Sequence, residues 1–306
     1  MKIAFCCADT KPEPWLHGLR AALPQAQITM WQAGDEPADY AVVWSPPQQF
    51  FDEQQQLKAV FNIGAGVDAL LKLRWPPTAR LVRLEDAGMA VQMAEYVCQA
   101  VVRHFRELDA MESAMRQGRW ELRRPRRRQD YPVGVLGLGV LGQRVAEALR
   151  VFEFPVLGFS SSPKQIAGVR CLHGDAQWEA FLSGTRILVN LLPLTPRTRG
   201  ILDRKTLGRL QSGAYLINVA RGGHLVEQDL IDLIQSGHLA GATLDVFQEE
   251  PLQSDHPFRR ESRITMTPHT SARTLRDNTI AQIASKLEAL SRGEKISGEV
   301  DSNRGY

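Results

Sequence analysis

A glycine-rich segment in the middle of the chain restricts its fold more than any other feature. Tyr131-Pro-Val-Gly-Val-Leu-Gly-Leu-Gly-Val-Leu-Gly142 joins an apolar run, typical of a buried strand, to a helix predicted over 143–149. In this context Gly137 permits a tight turn, Gly139 lets a pyrophosphate approach the backbone, and Gly142 lets the helix pack closely on the strand. The spacing alone is also compatible with a turn that binds nothing. The residues predicted to contact a dinucleotide here are Gly137, Gly139, Val140, Leu141 and Gly142, at a helix N-terminus that favours phosphate.

Short apolar runs alternate with helical patterns on both sides of this segment. Such alternation predicts mostly parallel sheets with helices on both faces, and the runs are apolar throughout, as buried parallel strands tend to be. The chain is therefore predicted to be an α/β protein with two doubly wound parallel-sheet domains. The predicted strands are Lys2–Cys7, Gln27–Trp31, Asp39–Trp44, Leu57–Ile63, Ala79–Leu84, Pro132–Gly137, Phe154–Ser160, Arg186–Leu192, Ala214–Val219, Ala240–Phe247 and Arg263–Thr267.

Three helices are predicted outside the glycine segment. One lies around Pro14–Ala22, one continuous helix covers roughly Met89–Arg116, and an amphipathic helix covers about Leu275–Arg292. The basic segment Arg123–Arg128 that follows the second helix is interpreted as a solvated loop, or alternatively as a patch that attracts acidic ligands or a partner chain. Its shortness and lack of interleaved aromatics argue against a nucleic-acid partner.

Composition narrows the functional class. The 306 residues are 43% hydrophobic and 23% charged, with a net charge of +3, which is ordinary for a soluble protein and gives no sign of a nucleic-acid or membrane partner. No apolar run reaches the roughly 20 residues of a membrane span. The cysteines are not spaced as metal ligands, so no metal site is predicted, and all are expected to be reduced thiols in a cytoplasmic protein. They are Cys6, Cys7, Cys98 and Cys171.

The end of the strand after the glycine segment bears on the choice of cofactor. An acidic residue there would bind the ribose 2′-OH of NAD, but Phe159–Lys164 contains none. Three hydroxyls and a lysine could instead pair with a 2′-phosphate, which favours NADP(H) with NAD(H) still possible, although the arginine common at such sites is missing. The serines could also merely shape a turn. The residues in question are Ser160, Ser161, Ser162 and Lys164.

Four stretches, one of them within the glycine segment, give the chain a family resemblance. It resembles the D-isomer-specific 2-hydroxyacid dehydrogenase family, and within it the bacterial branch of glyoxylate and hydroxypyruvate reductases. The family motifs are Gly134–Gly142, Asn190–Gly200, Asn218–Gly223 with Leu244–Pro251, and Thr267–His269. The closer match to the branch is carried by Tyr40–Pro47, Phe61–Asp68, Leu84–Met89 and Val300–Tyr306.

The resemblance implies three catalytic residues whose chemistry suits reduction of a 2-oxo acid. Arg221 can bind the substrate carboxylate bidentately and polarise the carbonyl. His269 can act as general acid because an imidazole titrates near neutral pH. Glu250 can orient that imidazole and stabilise its charged form.

The resemblance also implies binding residues, a domain division and an assembly. Arg273 departs from the branch, where an aliphatic residue is usual, and could reach a second anionic group on the substrate or face solvent.

A Rossmann-type cofactor domain is expected over 99–275 and a flavodoxin-like substrate domain over 1–98, completed by 276–306. A homodimer is expected, with the Met89–Arg116 helix and the basic segment as the candidate interface. The implied substrate contacts are Trp44, Gly64, Ala65, Gly66, Met89 and Arg221, and the remaining cofactor contacts are Leu192, Pro193, Thr198, Ala220 and Asp245.

The expected reaction is NAD(P)H-dependent reduction of glyoxylate and hydroxypyruvate to glycolate and D-glycerate. Two alternatives remain open from the sequence. One is a dehydrogenase for a bulkier or phosphorylated 2-oxo acid, and the other is a binding protein that senses dinucleotides through the same fold.

Overall fold

The structure is a computed structural model that describes residues 1–8 and 10–301; the last five residues of the Val300–Tyr306 motif lie outside this part. The chain divides into two compact units. One comprises Met1–Met89 with Arg273–Tyr306, and the other Ala90–Ala272. None of the helices in the described residues combines the length and apolar character that a membrane span requires.

The strands of the described residues form two sheets. Their bounds, in chain order, are β1 Lys2–Cys7, β2 Gln27–Met30, β3 Tyr40–Trp44, β4 Ala59–Asn62, β5 Arg80–Val82, β6 Val133–Leu136, β7 Val156–Ser160, β8 Arg170–His173, β9 Ile187–Asn190, β10 Ala214–Asn218, β11 Leu239–Leu244 and β12 Ile264–Met266. The α-helices are α1 Pro12–Ala22, α2 Gln48–Glu53, α3 Met89–Phe105, α4 Leu108–Arg116, α5 Val140–Val151, α6 Asp175–Ser183, α7 Arg204–Leu207, α8 Glu227–Gln235 and α9 Arg276–Ser291. Short 3-10 turns lie at Leu70–Lys72, Arg128–Asp130, Gly222–His224 and Pro257–Arg260.

The first unit is built on a parallel sheet of order β2-β1-β3-β4-β5. This order has its switch point between β1 and β3, as in flavodoxin-like folds. One face of the sheet packs on α1 and α9, with Leu19, Ile283 and Leu287 fully buried. The predicted apolar stripe of the last helix is therefore confirmed as a core face.

The second unit is built on a parallel sheet of order β12-β11-β10-β9-β6-β7-β8. Counted from β6, the order matches the doubly wound dinucleotide-binding fold, extended by a seventh strand at β12. The two predicted parallel-sheet domains are confirmed in type. Crevices that bind ligands in such sheets lie at the carboxyl ends of the strands, beside the switch point between β6 and β9.

The two faces of the second sheet are covered by different residue types, β-branched side chains on one face and leucines on the other. Val135, Val189 and Ile217 point to the face that packs on α3 and α5. Leu188 and Leu216, one position along the same strands, point to the opposite face. Because neighbouring residues of a strand face opposite sides, the apolar runs of the sequence fill both cores at once.

The structure corrects two of the sequence-based expectations. The continuous helix predicted over Met89–Arg116 is two helices, since Glu107 between them has a left-handed backbone with φ of 55°. The carboxylate of Glu107 pairs with Arg126 at 2.9 Å, a contact across 19 residues that local sequence does not reveal. Strand β8 was missed because it is a polar edge strand in which only Leu172 is buried.

Candidate active site

Polar residues gather at the carboxyl edge of the second sheet. Asn190 and Asn218 are the last residues of β9 and β10, and Asp245 directly follows β11. Gly137 follows β6 and Thr267 follows β12. Because carboxyl ends of parallel strands meet at one edge, β6, β9, β10, β11 and β12 each bring one of these residues to the same crevice.

The glycine segment has the shape that a dinucleotide requires. Gly137 has φ of 103°, and a Cβ there would lie 2.9 Å from the carbonyl oxygen of Leu191. A Cβ on Gly142 would lie 1.8 Å from the carbonyl oxygen of Gly137, so the helix can approach the strand only with glycine at this position. A Cβ on Gly139 would meet nothing within 4 Å, and Val140 beside it is half exposed. Open space therefore faces the N-terminus of α5, as phosphate binding demands.

The residues predicted to select the cofactor differ in what they contact. The hydroxyl of Ser160 is buried and donates to the carbonyl oxygen of Ser162 at 2.7 Å, so it shapes the turn after β7. Ser161, Ser162 and Lys164 are exposed. They remain available for a 2′-phosphate, and no acidic side chain stands among them.

His269 and Glu250 form a hydrogen-bonded pair. The Nδ1 of His269 lies 2.8 Å from Oε2 of Glu250, and Oε1 of Glu250 accepts the backbone N–H of Phe247 at 2.9 Å. The carboxylate thus accepts a hydrogen bond from the N–H at Nδ1 and fixes the plane of the ring. The side chain of His269 is 45% exposed, and within the described residues its Nε2 has no partner. The pair can therefore present a proton at Nε2 to a bound molecule.

A buried carboxylate holds the turn that carries His269. Asp245 has no exposed surface, and it accepts the hydroxyl of Thr267 at 2.6 Å and the N–H groups of Thr270 and Ser271 at 2.9 and 2.8 Å. Its backbone carbonyl also accepts the N–H of His269 at 2.8 Å. These bonds stabilise the left-handed backbone of His269, whose φ is 51°.

A tyrosine extends this buried network. The hydroxyl of Tyr96 on α3 lies within hydrogen-bond distance of the hydroxyl of Thr267. Burial raises the pKa of Tyr96 to about 12, so the phenol stays protonated and donates. The hydroxyl of Thr267 donates its own hydrogen bond to Asp245. Tyr96 and Thr267 therefore form a chain of hydrogen-bond donors that ends at the carboxylate of Asp245.

Arg221 lies in the loop that follows β10. Its Nη1 donates to the carbonyl oxygen of Ala220 at 2.7 Å. The next residue, Gly222, packs directly on the backbone of Phe247, since a Cβ there would lie 1.8 Å from the carbonyl carbon of Phe247. Arg221 is thus carried by a loop packed against the segment that orients Glu250. The role of the Arg-Gly-Gly sequence is this close backbone approach.

The loops predicted to hold substrate in the first unit are built around a tryptophan and an asparagine. The indole of Trp44, at the end of β3, covers Gly64, where a Cβ would lie 2.3 Å from its ring. The buried amide of Asn62 donates to the carbonyl oxygens of Gly64 and Gly66 at 3.0 and 2.7 Å. This bonding curls the segment through Ala65 into a tight loop. Met89, at the start of α3, is buried.

Sequence reasoning missed the residues that support the site. Four of them are polar residues at the ends of apolar runs, which is the one signal that could have identified them; Tyr96, within α3, and His224, in the loop after β10, have no such signal. The structure places Pro193 on the surface and Leu192 and Thr198 partly buried, with the hydroxyl of Thr198 donating to Pro193. The missed supporting residues are Asn62, Tyr96, Asn190, Asn218, His224 and Thr267.

The chain is similar to known proteins over its whole length. Residues 98–271 match the family model for the D-isomer specific 2-hydroxyacid dehydrogenase, NAD binding domain. The chain is 47% identical to the glyoxylate/hydroxypyruvate reductase A of Serratia proteamaculans, with all of both chains covered, and 44% identical to that of Escherichia fergusonii, with 95% and 96% covered.

Solved structures agree with the family match. A D-isomer specific 2-hydroxyacid dehydrogenase from Xanthobacter autotrophicus, in complex with NADPH and MES, aligns with a TM-score of 0.95 at 40% identity, covering 100% of this chain and 99% of that one. An NADPH-dependent glyoxylate/hydroxypyruvate reductase from Sinorhizobium meliloti, in complex with NADP and sulfate, aligns with a TM-score of 0.93 at 33% identity and the same coverage.

Two glycine substitutions should separate binding from folding in the glycine segment. Gly142→Ala should lower the free energy of unfolding by about 1–3 kcal/mol, because its methyl group meets the backbone at Gly137. Gly139→Ala should change it by less than about 0.5 kcal/mol, because the space is open. The methyl group of Gly139→Ala should nevertheless weaken NADPH binding roughly tenfold, or by about 1.4 kcal/mol, because it occupies the space where the pyrophosphate approaches. Urea unfolding and fluorescence titration with NADPH measure the two effects. Unchanged NADPH affinity in Gly139→Ala would show that the loop is not the pyrophosphate site.

Proposed function

The chain belongs to the D-isomer specific 2-hydroxyacid dehydrogenase family, and from this premise we propose that it reduces glyoxylate and hydroxypyruvate with NADPH, giving glycolate and D-glycerate. The observation that carries the proposal is the hydrogen-bonded pair of His269 and Glu250 at the carboxyl edge of a dinucleotide-binding sheet. Relatives named as glyoxylate/hydroxypyruvate reductases, 44–47% identical over nearly the full chain, support the substrate class.

The proposed division of labour places the proton on His269. When bound, the nicotinamide supplies a hydride to the carbonyl carbon of the 2-oxo acid. His269 then donates a proton from Nε2 to the carbonyl oxygen, whose negative charge develops at the same time. Glu250 accepts the hydrogen bond from Nδ1–H in both the charged and the neutral form of the ring, and its carboxylate stabilises the charged imidazole before transfer.

Arg221 is proposed to hold the substrate and to stabilise developing charge. A guanidinium binds a carboxylate through two parallel hydrogen bonds, which orients the carbonyl carbon. The loop through Ala65 is proposed to offer backbone N–H groups to a substrate carboxylate, because Asn62 already engages its carbonyl oxygens. Trp44, lying on Gly64, is proposed to limit the site to short acids.

NADP(H) is the proposed cofactor because the end of β7 offers exposed hydroxyls and a lysine without a carboxylate. Ser161, Ser162 and Lys164 would hold the 2′-phosphate, and the N-terminus of α5 the pyrophosphate. Structural relatives solved with a bound nucleotide contain NADPH or NADP. Leu192 and Thr198 are proposed to line the adenosine side.

The assay that tests the function compares both cofactors on several acids. Purified protein should oxidise NADPH with glyoxylate and with hydroxypyruvate, with a kcat/KM above that for NADH and above that for pyruvate or phenylpyruvate. The loss of NADPH absorbance measures the rate. Absence of turnover with every small 2-oxo acid would contradict the proposal and favour a dinucleotide-sensing protein; faster turnover of the bulky acid would contradict the substrate assignment.

A matched pair of substitutions tests the role of Glu250. Glu250→Gln should lower kcat by about 10²-fold, the lower end of general acid catalysis, because an amide cannot stabilise the charged imidazole. Glu249→Gln is the control, because the carboxylate of Glu249 contacts Gln253 rather than His269. This substitution should leave kcat within about twofold. Steady-state kinetics at saturating NADPH measure both. Equal losses in the two variants would remove Glu250 from the proposed mechanism.

We also propose a cytoplasmic homodimer. The four cysteines are unpaired, as in a reducing compartment. A groove of about 590 Å³ along α3 is lined by apolar side chains including Val91, Val102 and Phe152, and a second copy of the chain is its proposed occupant. Trp120, in the segment before the basic residues, is 81% exposed, and this segment is proposed to extend the interface.

Light scattering tests the assembly. The protein should elute with a mass about twice 34.2 kDa. Val91→Glu should shift it toward the monomer because a charge would be buried in the groove. Val151→Glu, at an exposed valine that does not line the groove, should leave the mass unchanged. A monomeric wild-type protein would contradict the proposal.

A further inference from the structure

A buried histidine joins the two loops that follow β9 and β10. His224 has no exposed surface, and both of its ring nitrogens have polar neighbours. Its Nδ1 lies 3.0 Å from Nδ2 of Asn190, and its Nε2 lies 3.2 Å from the carbonyl oxygen of Pro193. His224 also stands three residues after Arg221, whose carbonyl oxygen lies 3.1 Å from Nδ1.

Backbone groups determine which way the neighbouring amides point. Oδ1 of Asn218 accepts the N–H of Ala220 at 3.3 Å, and its Nδ2 donates to the carbonyl oxygen of Arg221 at 3.1 Å. Oδ1 of Asn190 accepts the N–H of Leu192 at 3.3 Å, and its Nδ2 donates to Oδ1 of Asn218 at 3.0 Å. Turning either amide over would set a donor against a donor, since a backbone N–H and C=O cannot exchange places.

The fixed amides in turn determine the tautomer of His224. Its Nδ1 faces the second N–H of Asn190 and must accept it. Its Nε2 faces a carbonyl oxygen and must donate. The carbonyl oxygen of Arg221, which also lies near Nδ1, is an acceptor and takes a hydrogen bond from Asn218. A proton on Nδ1 would point a second donor at the amide of Asn190, so the neutral ring with its proton on Nε2 is the form that satisfies Asn190 and Pro193 together.

We propose that His224 is a positioning residue that ties the Arg221 loop to the Leu192–Pro193 segment and so sets where Arg221 meets the substrate. A buried histidine that only filled space would not need both nitrogens aligned with groups on two different loops. One of these loops carries the proposed substrate anchor, and the other the proposed adenosine contact. The inference rests on the proposed function for its kinetic consequence, but not for the tautomer.

Removing both polar contacts while keeping the ring volume should impair binding and chemistry together. His224→Phe should raise KM for the 2-oxo acid and lower kcat, with kcat/KM falling by about 10- to 100-fold, the usual effect of misplacing a binding group by about 1 Å. His104→Phe is the matched control. His104 is a half-buried histidine of the same unit, which stacks on Tyr215. Its replacement should leave kcat/KM within about twofold.

A double-mutant cycle shows whether the effect passes through Arg221. Arg221→Lys keeps the charge but loses the bidentate geometry. If His224 acts by positioning Arg221, adding His224→Phe to this variant should cost less than about a further twofold in kcat/KM. Multiplied losses in the double variant would overturn the proposal, as would unchanged kinetics in His224→Phe.

A spectroscopic measurement tests the same proposal without any assay of activity. Nitrogen chemical shifts of isotope-labelled histidine, assigned by comparison with His224→Phe, should show a neutral ring protonated at Nε2. Replacing Asn190 by Leu should shift the Nδ1 signal because that nitrogen loses its donor. A proton on Nδ1 would overturn the proposal. If the wild-type protein reduces no 2-oxo acid, the proposed function fails on the assay alone, while the tautomer still decides whether His224 is held as inferred.

Discussion

The geometry of the site depends on the buried carboxylate of Asp245. A carboxylate without exposed surface loses its hydration, which is tolerated only where hydrogen bonds replace the water. The hydroxyl of Thr267 and the N–H groups of Thr270 and Ser271 supply these bonds. The turn is thereby held from inside, and His269 within it adopts a left-handed backbone that costs on the order of 1–3 kcal/mol. The position of the proposed general acid follows from this one group.

Much of the fold follows from local sequence because the buried strands are nearly continuous apolar runs. Strands such as 133–136 and 187–190 could be located from their apolar runs, and the helix around 280–287 from the apolar residues along one of its faces. Burial selects apolar residue types in strands and helices alike. Strand β8 could not be found in this way because only Leu172 is buried. The break at Glu107 was equally hidden, since no glycine or proline marks it and the stabilising arginines lie further along the chain.

The site was predictable to a different extent. The glycine segment stands in a motif whose spacing has a physical reason, whereas Glu250 and His269 were identified through the family resemblance; the structure places their side chains 2.8 Å apart. The polar residues that support the site, such as Asn62 and Asn218, stand in no such motif. Asn62 and Asn218 each look like an ordinary polar residue after a strand, and their importance appears only when the structure shows which backbone groups they bond. These contacts join residues only two to four positions apart, so the sequence does not distinguish them from the contacts of an ordinary turn.

The choice of amides over charged groups in this shell has a physical basis. At the end of β10 one side chain must accept an N–H from Ala220 and donate to the carbonyl oxygen of Arg221. A carboxylate could do only the first, and an ammonium only the second. A charge there would also add its field to that of Arg221, and uncompensated charge is costly in a buried crevice. Asn190, Asn218 and the Nε2-protonated ring inferred for His224 are neutral and carry both a donor and an acceptor. Side chains of this kind can hydrogen-bond both to N–H groups and to carbonyl oxygens. They hold the loops in place without adding charge, so the charges of the site are those of Arg221 and of the pair of His269 and Glu250.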